Sequence, residues 1–317
     1  MNTPEVIRIE HTHPLADTQI VIEISLGNVC NYACSYCPDS LHSGSLGWLP
    51  KDDVKRFLDA VAEHYKGFSV IIQYTGGEPT QYPGFEEIIQ YGAEKGFYHS
   101  IISNGSRTIR FWEKFGKFFD KVHLTFHQEF ADLDHFSKVV AAIPITVPVH
   151  VNFTMIPELF DEICQKATVL ASLGNVSVVL KPLRINFQSE LYPYTEDQMT
   201  RMRASSGRGR KAEGHLYRGM MRAVMDDGTS VVKAPSRFIL DRDNQWFGWK
   251  CWTGIQQIAV KPNGDIFRGI CRVGGEIGNI KGTYVFPTEP IICDKPRCSC
   301  VTDVMTRKER INTPSEP

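Results

Sequence analysis

Between residues 20 and 181 the chain alternates short strand-like runs with longer helix-like ones, a rhythm that few folds accept. The strand candidates are 20–25, 69–74, 98–103, 121–126, 147–154 and 176–181, each rich in β-branched or aromatic residues and bounded by turn residues. Helical patterns lie between them at 50–65, 84–95, 108–118, 132–141 and 158–173. The first opens with Pro50 and the acidic pair Asp52-Asp53, which suit a helix N-terminus, and the fifth runs into Gly174-Asn175, a C-terminal stop. Such alternation predicts an α/β fold with a parallel sheet and right-handed crossovers. Six units are too few for a closed eight-stranded barrel, so an open, partial (β/α)6 barrel is expected. Functional groups in such folds gather on loops at the carboxyl ends of the strands.

Composition excludes several classes. Hydrophobic residues make up 42% and charged residues 22%, which suits a soluble chain with a sizeable core. A net charge of −1 offers no bulk attraction to nucleic acid or to a membrane surface, so neither is expected as a partner. No apolar run reaches the ~18 residues of a membrane span. The start, Met1-Asn2-Thr3-Pro4-Glu5, lacks the basic and apolar segments of a signal peptide, and a cytoplasmic location is expected. Nine cysteines in that compartment point to metal ligands rather than disulfides. Cys164, alone in a helical pattern, reads as a small buried apolar residue.

The other eight cysteines fall in two groups. Cys30, Cys34 and Cys37 stand as C-x3-C-x2-C just after the first strand, at the end where function is expected. Three thiolates without a fourth leave one iron of an iron–sulfur cluster free for another ligand. A structural zinc site wants four ligands, and His42, the nearest candidate, lies in a Ser-Gly-rich loop. Directly after the second strand comes Thr75-Gly76-Gly77-Glu78-Pro79. The glycines let backbone approach a ligand, Glu78 supplies a carboxylate for an ammonium, and Pro79 stiffens the exit.

Together the triplet and this motif resemble the radical S-adenosylmethionine (radical SAM) enzymes, over residues 20–181. The resemblance implies a 4Fe–4S cluster on Cys30, Cys34 and Cys37, whose free iron chelates SAM, and reductive cleavage of SAM to methionine and a 5′-deoxyadenosyl radical. It implies that Gly76, Gly77, Glu78 and Pro79 seat the methionine end of SAM and that Tyr36 meets the adenine. Asn104, in Ser103-Asn104-Gly105, and Thr125, at the end of the fourth strand, match further SAM-contacting positions. The arginine usual about a dozen residues beyond Thr125 is absent, Asp134, His135 and Ser137 occupying that region. His127 and Glu129 read equally as substrate contacts or as a solvated loop pair.

The second group is Cys251, Cys271, Cys293, Cys298 and Cys300. Asn263-Gly264 between two alternating runs predicts a hairpin that brings Cys251 and Cys271 together. The pattern resembles the Twitch and SPASM extensions of radical SAM enzymes, with a longer Gly264–Cys271 gap and a non-standard final group. Five thiolates suffice for one auxiliary 4Fe–4S cluster with one left over; two clusters would need seven or eight. A four-cysteine zinc site is the alternative. Cys298 and Cys300 stand close enough in sequence that either reads as the spare.

The expected organisation is an N-terminal extension (1–19), the partial barrel (20–181), a connecting region (182–245), a small Twitch-like cluster-binding domain (246–305) and a flexible tail (306–317). In the connecting region, Arg201 to Arg222 hold seven basic residues against one acidic, a solvated surface loop or a lid over an anionic substrate. The expected reaction is oxidation or epimerisation of a small polar substrate, with flavodoxin or ferredoxin as electron donor. Only about 19 residues precede the first strand, too few for a domain that binds a leader peptide, which favours a small molecule over a peptide. Sulfur insertion and peptide thioether or crosslink formation are the enzymatic alternatives. A non-enzymatic iron–sulfur electron carrier is the alternative of another class.

Overall fold

The computed structural model describes residues 4–173, 176–187, 190–205 and 219–311. In chain order it begins with β1 (Val6–His11), β2 (Gln19–Ser25), β3 (Gly27–Val29), β4 (Ser43–Trp48), α1 (Lys51–His64), β5 (Ser69–Thr75) and α2 (Phe85–Glu94). There follow β6 (Tyr98–Ser103), α3 (Ile109–Phe115), β7 (Lys121–Phe126), α4 (Leu133–Ala142), β8 (Val149–Met155), α5 (Phe160–Ala171) and β9 (Val176–Pro182). Next come α6 (Glu196–Ser205), β10 (Met221–Met225), β11 (Ser230–Lys233), α7 (Pro235–Leu240) and β12 (Lys250–Cys251). The chain ends with β13 (Gln257–Val260), β14 (Asp265–Phe267), β15 (Glu276–Asn279), β16 (Ile291–Ile292), α8 (Val301–Val304) and β17 (Lys308–Glu309).

The six expected strands are β2, β5, β6, β7, β8 and β9, paired in parallel and in that order. Each turns one face to the helices. Ile22, Ile24, Ile72, Tyr74, Val122, Leu124, Val151 and Phe153 enter a single core with Val54, Phe57, Leu58 and Val61 of α1. Those four recur at three- and four-residue spacing, so they share one side of the helix. Burying each large side chain contributes about 1.5–3 kcal/mol. Cys164 on α5 packs against this core, as expected of a small apolar residue. Among the described residues no helix is long and apolar enough to cross a membrane.

The ends of the chain differ from the expected organisation. The hairpin at Asn263-Gly264 forms, with Ala259 opposite Phe267 and Val260 opposite Ile266. Its first strand, β13, then pairs in parallel with β2, so the hairpin widens the barrel sheet to nine strands, in the order β15-β14-β13-β2-β5-β6-β7-β8-β9. A second sheet runs β11-β10-β1-β17-β12-β16. It draws strands from the expected extension, connecting region, cluster domain and tail. Those boundaries therefore cut through sheets: strand edges left open by one segment are closed by another far away in sequence. The described ends of the basic run are already paired. Arg201 meets Asp161 at 2.7 Å, Arg203 meets Glu196 at 2.9 Å, and Arg222 approaches Glu10 at 3.4 Å. Arg208, Arg210, Lys211 and Arg218, the centre of the expected lid, lie outside the described residues, as do Gly174-Asn175 and residues 312–317.

Candidate active site

β2 and β3 carry the chain to the carboxyl end of the sheet, where Cys30 to Cys37 form a tight loop closed by Cys37 N–H donating to the Cys34 carbonyl at 2.9 Å. Cys30, Cys34 and Cys37 line one cavity, whose other walls include Thr75, Gly77, Asn104, Thr125 and His127. Burial pushes the Cys34 and Cys37 thiols up to about 11, and the neighbouring cysteines push in the same direction. Cys30 is raised as well, chiefly by burial. Three thiols held this close resist ionising alone, and iron in place of their protons relieves that repulsion. Among the described residues no three His, Cys, Asp or Glu side chains form a group able to hold a lone metal ion. Three soft donors around one cavity suit a cluster in which each thiolate takes its own iron.

The Gly76-Gly77 turn is forced by backbone contact. Gly76 and Gly77 have φ of +88° and +45°. A Cβ on Gly77 would stand 2.0 Å from the Val29 carbonyl oxygen, and one on Gly76 would stand 2.6 Å from that of Gly27. Only glycine lets this loop lie against the strand that launches the cysteines. Glu78 corrects an expectation. Its carboxylate, expected to face an ammonium, is fully buried. One oxygen accepts from Thr80 N–H (3.1 Å), the Thr80 hydroxyl (2.6 Å) and the Ser103 hydroxyl (2.8 Å); the other accepts from Asn104 N–H (2.7 Å). Glu78 thus ties the end of β5 to the end of β6, and Pro79, also buried, begins the turn between them. Burial raises its pKa and these bonds oppose the rise.

Asn104 is placed by that tie. Its amide donates to Asn31 at 3.0 Å and reaches the Cys30 sulfur at 3.9 Å. Thr125 faces the same cavity from β7. Asp134, His135 and Ser137 are on α4 and do not line the cavity.

The loop after β7 holds the cysteine loop, a role that the sequence reading missed. Glu129 accepts from Ser35 N–H at 2.8 Å and from the Ser35 hydroxyl. The Tyr36 hydroxyl is 2.8 Å from His127 Nδ1 and 3.1 Å from the Thr154 hydroxyl, and Tyr32 stacks on Phe130. Burial lowers His127 to about 4, so the imidazole is neutral at ordinary pH. Tyr36 is therefore tethered on its hydroxyl side. The visible signal was polar residues just past a strand end; their partner could not be read from spacing.

The C-terminal cysteines influence one another electrostatically. Cys251 acts electrostatically on Cys271, Cys293 and Cys298, and Cys271 acts on Cys298. Burial raises all three of those thiols, Cys271 to about 12. Lys308, fully buried, donates to the carbonyls of Asp303 and Thr306 and opposes that rise at Cys293 and Cys298. Cys300 stands at the start of α8, where Asp303, which also acts on Cys271 and Cys298, acts on it together with Glu23, and it acts in turn on Lys181 and Arg184.

Residues 24–134 match the radical SAM superfamily. The chain is similar to an S-adenosylmethionine-dependent nucleotide dehydratase of Selenomonas ruminantium, 33% identical over 85 residues, 27% of this chain and 30% of that protein. An AdoMet-dependent heme synthase of Methanosarcina barkeri is 34% identical over 88 residues, 27% of this chain and 24% of that protein. The matches thus span at most 30% of the length of these relatives. The fold resembles that of native anSMEcpe with bound AdoMet, with a TM-score of 0.52 and 17% identity over 84% of this chain and 79% of that one.

Proposed function

We propose, from the premise that this chain carries a radical SAM domain over residues 24–134, that it binds a 4Fe–4S cluster on Cys30, Cys34 and Cys37 with SAM beside it and removes hydrogen from a small polar substrate. The observation that supports this reading is the shared cavity, three thiols on one wall and the Gly77 backbone, Asn104 and Thr125 on the others. When bound, cluster and SAM supply hydrogen-atom abstraction from an unactivated carbon. The chain's own residues do the positioning. Gly76 and Gly77 bring polar backbone to the cavity edge, Glu78 fixes the Ser103-Asn104 corner, and Glu129, His127 and Thr154 hold the cysteine loop.

For the second centre, the grouping supports one auxiliary 4Fe–4S cluster on Cys251, Cys271, Cys293 and Cys298, with Cys300 as the spare thiol and Lys308 as a nearby positive charge. Full protein ligation favours electron transfer over direct binding of substrate or donation of sulfur, hence oxidation or epimerisation. Reduced flavodoxin or ferredoxin would supply the electron.

The test is anaerobic reconstitution with iron and sulfide, then a reductant and SAM. The wild type should release 5′-deoxyadenosine and methionine, and Cys30→Ala, Cys34→Ala and Cys37→Ala should not. Cleavage unchanged in all three variants would refute the assignment. A wild type that loads both clusters yet leaves SAM intact would support the electron-carrier reading. New sulfur in the product would favour sulfur insertion or thioether formation instead.

A further inference from the structure

The second sheet holds a lysine at a core position. Lys308 of β17 lies between Ile9 of β1 and Cys251 of β12, and Cys251 in turn faces Ile291 of β16. Residues opposite one another in a ladder share a face. On that face Ile9 packs with Trp246, Val304 and Cys298. Cys293 extends β16, its N–H donating to the Trp249 carbonyl at 2.8 Å. Lys308 is 1% exposed and Cys251 5%. Lysine is almost never buried to this degree unless it is paired.

Every acceptor that Lys308 reaches among the described residues is a neutral oxygen. Its ammonium, 4.6 Å from the Trp246 ring centre, donates to the Asp303 carbonyl at 2.7 Å, the Thr306 carbonyl at 2.8 Å and the Thr306 hydroxyl at 2.9 Å. Three such bonds use all the hydrogens of an ammonium. The positive charge is therefore held in place but not cancelled. Capping the end of α8 accounts for the Asp303 carbonyl, but an exposed lysine supplies a cap equally well, without burial opposite a cysteine. The Asp303 carboxylate is engaged elsewhere, accepting from Gln257 at 3.1 Å and from Ile270 N–H at 2.9 Å. At Cys298 the effect of Lys308 outweighs that of Asp303.

Thr306 links the lysine to the cysteine. Its fully buried hydroxyl lies 3.5 Å from Cys251 Sγ and 2.8 Å from the Asp303 carbonyl. While Cys251 is a thiol, the hydroxyl hydrogen goes to that carbonyl. With metal in place of the thiol proton, the sulfur becomes an acceptor and the hydroxyl turns toward it. The Asp303 carbonyl then keeps its bond from Lys308, so no buried group is left unsatisfied.

We infer that Lys308 is a positioning residue for the C-terminal thiolate site, presenting a fixed positive charge to Cys251 through the Thr306 hydroxyl and so making the centre held there easier to reduce. This rests on the auxiliary-cluster reading above. Reduction adds negative charge to a cluster, and a nearby cation or a hydrogen bond to a ligating sulfur stabilises the reduced form. That direction suits the electron-accepting role proposed for this centre.

The test uses the reconstituted full chain with Cys30→Ala, Cys34→Ala and Cys37→Ala, whose remaining cluster is titrated for its midpoint potential by electron paramagnetic resonance. Lys308→Met should shift the equilibrium at least tenfold toward the oxidised form, about 59 mV for one electron. Lys308→Arg should recover most of that shift. Thr306→Val should give a smaller shift of the same sign, and Thr306→Ser none. A lysine that only caps α8 would change the urea midpoint and leave the potential where it is, which overturns the proposal; a potential that rises does so too. Should Lys308→Met fail to fold, Thr306→Val decides, and a potential equal to that of the parent overturns the proposal. A parent protein that takes up no iron refutes the auxiliary cluster and the effect on reduction with it. The charge at the thiolates is then read from cadmium titrated into the metal-free protein, followed at its thiolate absorbance. A Kd raised about tenfold by Lys308→Met upholds that charge, and an unchanged Kd overturns it.

Discussion

Replacing Glu78 by Gln separates a carboxylate that binds ligand from one that holds the fold. In the structure its four acceptor contacts come from two N–H groups and two hydroxyls. A hydroxyl can rotate to accept from the new amide, but a backbone N–H cannot. With the amide nitrogen toward Asn104 N–H, two donors face each other; flipped, the same conflict arises at Thr80 N–H. Either way one charge-assisted bond is lost, worth about 1.5–3 kcal/mol, and a buried donor is left unsatisfied at about 1–3 kcal/mol. Relief of the buried carboxylate's desolvation offsets part of this. The net expectation is a loss of about 2–3 kcal/mol, a large share of the roughly 5–15 kcal/mol that usually separates folded from unfolded chains. Urea unfolding of the metal-free protein should show it directly. SAM affinity, measured on reconstituted protein at a temperature where both forms are folded, should fall less than about tenfold, below the cost of a lost charged contact. An unchanged urea midpoint with a tenfold or greater loss of SAM affinity would refute the reasoning and restore the ammonium contact.

Three further outcomes follow from the same geometry. Cys298→Ser should lower iron from about eight to about four per chain, whereas Cys300→Ser should keep about eight; the reverse pattern would exclude the four-to-one division. Glu129→Gln leaves the Ser35 end of the cysteine loop with weaker acceptors, so the first cluster should bleach faster in air than in the wild type, followed at its visible absorbance; identical rates would show that the contact does not hold the loop. Glu23 is raised from 4.5 to about 7, chiefly by burial, with Lys261 opposing the rise. A raised acid contributes stability that is fully present below its unfolded pKa and is lost as pH climbs through the folded one. Relative to Glu23→Gln, the wild type should therefore lose stability between pH 4.5 and about 7, by about 3 kcal/mol at most. Parallel stability profiles for the two proteins, from urea unfolding across that range, would contradict the burial of Glu23.

Local pattern carried much of the architecture. The runs 20–25, 69–74, 98–103, 121–126 and 176–181 form strands within a residue or so of where alternation and turn residues place them, because strand and helix periods are set by neighbours in the chain. β1 shows the opposite case. Val6 pairs with Met225 and Arg8 with Glu309, so nothing near residues 6–11 announces a sheet. Spacing located Cys30, Cys34, Cys37 and the Gly76-Gly77-Glu78 turn but misjudged what the Glu78 carboxylate meets, since Ser103 and Asn104 reach it from the next strand.

Spacing alone also could not tell Cys298 from Cys300. At Cys300, which starts α8, Glu23 of β2 acts, whereas Lys308, Cys271 and Cys251 act on Cys298, and none of these neighbours can be read from spacing. In Lys121-Val122-His123-Leu124-Thr125-Phe126, polar and apolar residues alternate in plain sight. Read alone, that alternation describes a strand with one face in water. The sequence determines which residues share that face. Curling the sheet into a barrel decides where it points, because the strands that enclose it, from β2 to β9, come from segments up to about 160 residues apart and only their pairing turns a solvent face into the wall of a site.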